Sequence, residues 1–456
     1  MNSLGCMKNE LMGILTVADI IAATGGEIIS NASHSFTGVS IDSRTIKDGE
    51  LFIALKGSKF DGHNFLQVAL ERGSGAVVSC YPGKPVYDRT IISVKNTLEA
   101  LQGIARYMRL KRDIPVIAVT GSNGKTTTKE LIASIVGAKY RVLKNSGNLN
   151  NHIGLPLSLT RISNEDEVAV LEMGASAPGE IEELCKIAIP HYGVLTNISE
   201  AHLEGFKDLE TVRKTKLEML DYISVAVVNA DDPFLMEGIR LSGFKGWLVR
   251  YGIKNHAEIR ATDIRLCENG SIFRLCAGEN KSIEVNPKIS GMFNIYNLLA
   301  AASVGYILNI ELIDIKNAVD SFTGLPMRLE FKERKGIRVI SDVYNANPAS
   351  TEEAIRELVR IRKGRAIAVL GDMLELGSFA EGAHRRLGRS MSGLPIDIFI
   401  AVGPLMAFAA AEFEATVYKV KSAVEAGRLL WDICKAGDTV LIKGSRGMNM
   451  ERVLGE

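Results

Sequence analysis

No two of the six cysteines in this 456-residue chain form a Cys-x-x-Cys pair; they stand scattered at 6, 80, 185, 267, 276 and 434. That spacing excludes a zinc ribbon and argues against a disulfide frame, leaving reduced thiols. Long hydrophobic runs are absent too: none approaches the ~18 residues of a membrane helix. Lys8 and Glu10 interrupt the apolar core that a signal peptide would need. Nor is there an excess of one charge. The 54 basic and 53 acidic residues give a net charge of +1, which speaks against nucleic acid or a membrane surface as partner. Short-period repeats and low-complexity segments are lacking. What remains is an ordinary globular composition, long enough for about three domains of ~150 residues, and the expected compartment is the cytoplasm.

What is present is concentrated first at residues 119–127, Val-Thr-Gly-Ser-Asn-Gly-Lys-Thr-Thr. An apolar run, 114–119, precedes it and a helical pattern from Lys129 follows. A strand, a glycine-rich turn and a helix carrying Gly-Lys-Thr make a phosphate cradle. Backbone N–H groups of Thr120, Gly121, Ser122, Asn123 and Gly124 face the anion, Lys125 reaches the outer phosphates, and Thr126, with Thr127 behind it, offers a hydroxyl to Mg²⁺. The usual glycine five residues before the lysine is replaced by Thr120, giving a short Thr-Gly-x-x-Gly-Lys-Thr variant. The chain binds ATP or a close relative.

Around the loop the pattern predicts an α/β protein of three units. Residues 1–112 are mixed: a capped helix from Thr16, strands at 50–55 and 76–79, and helices over 64–72 and 96–111. Residues 113–326 alternate strands (114–119, 140–143, 167–172, 193–197, 225–229) with helices. This predicts a parallel sheet covered on both faces, with short antiparallel strands over 257–286 as an insertion or edge. Residues 327–456 restart the alternation as a second doubly wound, Rossmann-like unit. Its strands lie at 337–341, 365–370, 396–402 and 439–442, and its helices near 350–362, 380–391 and 422–435.

Several residues invite a chemical reading. Glu172 ends an apolar strand one strand–helix–strand step after the phosphate loop, where such enzymes place a metal-holding acid. His202 follows the next strand, at the same sheet edge. Lys216 sits in an apolar register with Leu209, Val212, Met219, Leu220 and Ile223, whereas Arg213 and Lys214 fall on outer faces. A lysine there must be paired, neutralised or modified, unless its stem packs while its head snorkels to solvent. The amide-rich run 145–156 suits a loop closing on a polar ligand, or simply a helix entry. Residues 342–348, 371–377 and 443–446 follow strands and should crowd one edge of the third sheet as a binding face.

Taken together these motifs resemble the Mur ligases, and among them the members that add D-alanyl-D-alanine. The resemblance runs from about residue 38 to 447. It rests on Ser40-Ile-Asp-Ser-Arg44 with Phe60-Asp-Gly-His63, Thr120–Thr126, Gly147-Asn-Leu-Asn-Asn151, Ala201-His-Leu-Glu-Gly205, Tyr344-Asn-Ala-Asn-Pro348 and Gly371–Gly377, in that order. It implies an ATP-dependent amide ligase that joins D-alanyl-D-alanine to a UDP-N-acetylmuramoyl-tripeptide through an acyl phosphate, acting as a monomer. It implies UDP-sugar contacts at Ser43, Arg44, Asp61 and His63, and substrate contacts at Asn148, Asn150, Asn151, Tyr344, Asn345 and Asn347. Adenine-side contacts fall to Asn294 and Asn297, a ribose contact to Asp342, and a phosphate-directed arginine to Arg328. Mg²⁺ ligands are implied at Thr126, Glu172, His202 and a carbamylated Lys216, in two sites. Three departures stand out: Asn145-Ser146 before the Gly-Asn-Leu-Asn-Asn run, Leu325-Pro-Met before Arg328, and Ser341-Asp-Val. None removes a charged or metal-binding group. The alternatives are another Mur ligase, a folylpolyglutamate-synthase-like amide ligase, or a phosphate-loop switch that spends ATP on conformational work.

Overall fold

The computed structural model describes residues 15–80 and 88–455; Cys6, Lys8 and Glu10 lie outside them. Three large sheets, each built from its own stretch of chain, carry the structure, beside a two-stranded pair of Leu15–Thr16 with Ser35–Phe36. The first holds, in spatial order, Glu27–Ser30, Thr90–Ser93, Gly75–Val78, Glu50–Ile53 and Gly38–Ser40; all pairs are parallel except the first. Helix Val17–Thr24 enters through a capping box, with Thr16 and Asp19 exchanging side-chain and backbone hydrogen bonds. The predicted helix over 64–72 is a 3₁₀ turn, Gly62–Phe65, followed by Leu66–Arg72, because the Asp61 side chain caps the turn at His63 N.

The central sheet has nine strands. Val142–Lys144, Val168–Glu172, Val116–Thr120, Tyr192–Leu195, Val225–Asn229, Trp247–Gly252 and Ile259–Cys267 run parallel in that order, and Gly270–Ala277 and Lys281–Val285 add antiparallel pairs at its far edge. Val116–Thr120, Val168–Glu172 and Val225–Asn229 are buried throughout, as unbroken apolar strands covered on both faces must be. The predicted 193–197 strand ends at Leu195, where Thr196 and Asn197 turn their side chains onto the phosphate loop. Since Val116–Thr120 lies between the strands ending at Glu172 and Leu195, their carboxyl ends form the crevice in which such sheets bind ligands.

The third sheet runs Glu330–Arg334, Ile337–Asp342, Thr439–Lys443, Ala366–Gly371, Ile398–Val402 and Thr416–Val420, parallel after its first, antiparallel pair. It packs on helices Pro348–Ile361, Ala380–Ser392 and Ala423–Ile433. No helix among the described residues is long and apolar enough to cross a membrane, and Cys80, Cys185, Cys267, Cys276 and Cys434 are all free thiols.

Candidate active site

The turn after Val116–Thr120 is locked by the strand beside it. Ser122 Oγ donates to Ser199 O (2.9 Å), Asn123 N–H to Asn197 Oδ1 (3.0 Å) and Asn123 Nδ2 to Ser199 Oγ (2.9 Å). Gly121 (φ 140°) and Gly124 (φ 82°) admit no side chain: a Cβ would overlap the Thr196 hydroxyl at the first and the Asn297 amide oxygen at the second. Helix Lys125–Val136 therefore starts directly on the loop, with no side chain capping its first N–H groups. Lys125 Nζ donates to Gly121 O (2.8 Å) and Ser122 O (3.0 Å). Burial, with Arg328 adding to it, holds its pKa below the ordinary lysine value although Glu172 opposes. Behind the loop Thr128 Oγ1 donates to Asn297 Oδ1 (3.2 Å), and Asn297 Nδ2 to Asn294 Oδ1 (3.1 Å).

Glu172 is buried at the strand end. Its Oε1 accepts from Asn150 Nδ2 (2.7 Å), and its backbone is clamped by Asn145, which accepts from Glu172 N (2.9 Å) and donates to Glu172 O (2.9 Å). Lys129, fully buried, fixes Asn145 in turn through its carbonyl (2.6 Å). Glu172 Oε2 is buried without a hydrogen-bond partner. An anionic oxygen in that state is costly unless a cation meets it.

Lys216 overturns the snorkelling reading. Its ammonium lies over the Phe206 ring at 5.3 Å and, among the described residues, touches only Ala175 O (3.3 Å) as a hydrogen-bond acceptor. Burial, then the nearby Lys125 cation, push its pKa down to about 7. Arg213 corrects the predicted outer face: it is buried against helix Pro233–Ser242, 4.1 Å from the Phe234 ring and paired with Glu210 and Glu237. Gly238 lets it in, because a Cβ there would strike its side chain.

His202 has a left-handed backbone (φ 53°) and its Nδ1 pairs with Glu375 Oε2 of the third unit at 2.6 Å. That hydrogen bond holds the Glu375 carboxyl below the usual range. Other groups of the third unit reach the central sheet as well. Arg328 Nη2 donates to Thr126 Oγ1 (3.0 Å) while its guanidinium stacks 4.0 Å from the Tyr344 ring. Met327 (φ 62°) and Leu329 (φ 42°), on either side of it, are both left-handed. Asn347 Nδ2 donates to Asn123 Oδ1 (2.8 Å), and Asp342 accepts from Lys443 Nζ (2.6 Å). One cavity of about 1170 Å³ is lined by the phosphate loop, Glu172, His202, Asn148, Asn150, Asn151, Asn294, Asn297, Arg328, Asp342, Tyr344, Asn345 and Asn347. It exceeds the usual ~300–1,000 Å³ of a single-ligand pocket, so there is room for a nucleotide and a second substrate.

Ser43, Arg44, Asp61 and His63 are not among that cavity's walls. They gather at the carboxyl ends of the first sheet's parallel strands, where Asp61 pairs with His63 (2.6 Å), His63 Nε2 accepts from Ser79 N (3.0 Å) and exposed Arg44 forks onto Asp42. Asn151 Oδ1 accepts from Gly154 N (2.9 Å), so it serves the helix entry as well as the cavity wall. No three His, Cys, Asp or Glu side chains form a metal cage among the described residues. A metal here would rest on Glu172, Thr126, the free nitrogen of His202 and groups brought by Lys216 and the substrate's phosphates. That is an oxygen-rich, incomplete shell of the kind Mg²⁺ accepts.

Three family models match in chain order: Mur ligase family, catalytic domain, over residues 35–109; Mur ligase middle domain, over 119–305; and Mur ligase, glutamate ligase domain, over 327–446. The UDP-N-acetylmuramoyl-tripeptide–D-alanyl-D-alanine ligase of Bacillus subtilis is 35% identical, covering 97% of each chain. MurF from Acinetobacter baumannii superposes with a TM-score of 0.90 at 31% identity over 97% of this chain and 98% of that one. MurF ligase from Thermotoga maritima, solved in complex with ADP, gives 0.81 at 31% identity over 92% and 96%. The chain belongs to the Mur ligase family. Within this Mur ligase, sequence reasoning missed Lys129, the clamping role of Asn145 and the pairing of Glu375 with His202. Lys129 reads as one polar residue early in a helix, and Glu375 follows a strand with no periodicity to mark it; only the packed structure joins each to its partner.

Proposed function

We propose that this Mur ligase joins D-alanyl-D-alanine to UDP-N-acetylmuramoyl-tripeptide with ATP, releasing ADP and phosphate, as a cytoplasmic enzyme of peptidoglycan synthesis. The observation carrying this reading is that the phosphate loop, the partnerless carboxylate oxygen of Glu172, and Arg328, Asn345 and Asn347 of the third unit line one cavity. The names of its relatives supply the substrates. Three domains, 1–112, 113–326 and 327–456, follow the three sheets, the first taking the UDP-sugar at Ser43, Arg44, Asp61 and His63.

The tripeptide's terminal carboxylate attacks the γ-phosphorus and ADP leaves, giving an acyl phosphate. The dipeptide amine then attacks the carbonyl carbon, phosphate departs with the C–O bonding pair, and the amine sheds a proton as the amide forms. A carboxylate is a poor electrophile, and this exchange of leaving group makes the amide accessible. Lys125 and Arg328 spread the charge of the transferring phosphoryl group, and Asn294 and Asn297 stand on the adenine side, with Asp342 at the ribose. When bound, Mg²⁺ neutralises phosphate charge and orients oxygens; Thr126, Glu172, His202 and Lys216 would hold it in up to two sites. A buried lysine with a pKa near 7 is about half uncharged amine at neutral pH, and the amine is the form that adds to CO₂. Loss of a proton then leaves a carbamate anion in the apolar pocket. Arg328 and Asn347 reach the loop only when the third domain is docked, keeping water from the acyl phosphate. The deciding assay is phosphate release: a ligase requires the UDP-tripeptide and D-alanyl-D-alanine together, whereas a switch hydrolyses ATP with neither.

A further inference from the structure

Glu375 has no part in the chemistry above, yet it makes a close polar contact between the third domain and the ligand edge of the central sheet. Its Oε2 lies 2.6 Å from His202 Nδ1, and its carbonyl accepts from Glu204 N (3.0 Å), two residues along. Gly377 packs on the Glu204 backbone, and Arg386 pairs with Glu200 at 2.9 Å on the other side of His202. Both His202 (φ 53°) and Glu375 (φ 62°) occupy the left-handed region without being glycine. Such conformations persist where surrounding contacts over-determine them. Here the two side chains hold each other, and the Glu375 carbonyl is fastened to the backbone of Glu204.

The consequence concerns which imidazole nitrogen is free. With Nδ1 committed to a carboxylate, only Nε2 of His202 is left for the cavity that it lines. A carboxylate on the far nitrogen is also the arrangement that fixes the ring and raises its basicity toward a metal. The carboxylate belongs to a different domain from the histidine.

We infer that Glu375 is a positioning residue that orients His202 across the domain interface, so that docking of the third domain completes the metal shell as well as delivering Arg328. Opening of the domains withdraws the arginine and frees the imidazole together. The inference rests on reading His202 as a metal ligand, and the test separates the two.

The full-length protein is titrated with Mn²⁺ by paramagnetic resonance in the presence of a non-hydrolysable ATP analogue, as wild type, Glu375→Ala, His202→Ala and the double variant. The Glu375 side chain is more than half exposed, so its truncation leaves folding intact. Glu375→Ala should weaken Mn²⁺ binding about tenfold, the low end for loss of a supporting carboxylate. It should also raise the Mg²⁺ concentration giving half-maximal activity while leaving the KM for UDP-tripeptide in place. In the His202→Ala background the same substitution should do nothing further. If His202→Ala weakens Mn²⁺ binding but Glu375→Ala leaves it within twofold, the inference fails and the ligand role of His202 stands. An equal loss from Glu375→Ala with and without His202 also overturns it, since the effect then bypasses the imidazole. Were neither single variant to change Mn²⁺ affinity, His202 would not be a ligand and the inference would fall with that reading.

Discussion

At the scale of single residues, the proposed mechanism gives Lys125 and Lys216 opposite tasks. In that proposal Lys125 stays a cation beside phosphate, so Lys125→Ala should lower kcat about 100-fold or more, about 2.7 kcal/mol of lost transition-state stabilisation. Steady-state assay decides it, and retention of a third of wild-type kcat would remove the lysine from the phosphates. Lys216, in the same proposal, loses its charge. Its pKa of about 7 leaves the amine free to react above neutrality and protonated as pH falls through that value. Lys216→Ala should be folded and inactive, with partial recovery on adding short carboxylic acids that take the carbamate's place in the pocket. Full inactivity with every such acid would argue against an anion at that position. The sequence showed Lys216 as an anomaly of register, but it could not show that no acceptor beyond Ala175 O meets the ammonium among the described residues. Nor could it show that Arg213, three positions earlier, also turns inward: a 3.6-residue period assigns faces to a helix without knowing that a second helix covers its flank.

At the scale of elements, what was legible followed unbroken apolar runs and end signals. The strands ending at Glu172 and Asn229, and those beginning near Ile337 and Thr439, stand within a residue or two of expectation because buried parallel strands carry their own signature. Glu27–Ser30, Trp247–Gly252, Glu330–Arg334 and Thr416–Val420 were not foreseen. Three of them lie at a sheet edge, only partly buried, and so carry little apolar signature of their own. The antiparallel strands expected over 257–286 proved continuous with the central sheet. Capping was legible at Thr16, and it supports a test of stability. Burial acts to raise the Asp19 carboxyl pKa, but hydrogen bonds from Lys111, Thr16 and Tyr107 outweigh it and hold the value well below the ordinary one. The native state therefore keeps the carboxylate ionised more firmly than the unfolded chain does. The stabilisation is complete above the unfolded pKa of ~3.9 and is lost as pH falls through it towards the native value. Asp19→Asn should cost about 1 kcal/mol at pH 7, with the gap closing below pH ~4. Urea midpoints of the two proteins across that range measure it.

At the scale of the whole molecule, the site exists only because two sheets meet. Arg328 on Thr126, Asn347 on Asn123, Arg360 on Ser290 (2.6 Å) and Lys363 with Arg338 on Glu268 all join the central and third sheets. Asn347 both bridges and caps, since its Oδ1 accepts from Ser350 N (2.9 Å); its truncation would loosen docking as well as any dipeptide contact. Asn345 is the cleaner probe. Asn345→Ala should raise the KM for D-alanyl-D-alanine severalfold while acyl phosphate formation, followed by ADP release in a single turnover, is hurt less. An unchanged dipeptide KM with weakened ATP binding would move the amine site elsewhere.

The left-handed backbones of Met327 and Leu329 give the docked molecule a built-in recoil. Each costs on the order of 1–3 kcal/mol, a load present while Arg328 is engaged on Thr126 and available to be returned if opening relaxes it. If that load drives opening, tight closure and rapid turnover are set against each other in two residues of linker. Met327→Asn, which tolerates that backbone at lower cost, should slacken the spring. The nucleotide would be held longer, its KM would fall, and kcat would fall with it as product departure becomes the slow step. A pre-steady-state burst of ADP, absent or smaller in the parent enzyme, is the sign to look for; its absence in the variant would mean that the linker stores nothing the catalytic cycle uses.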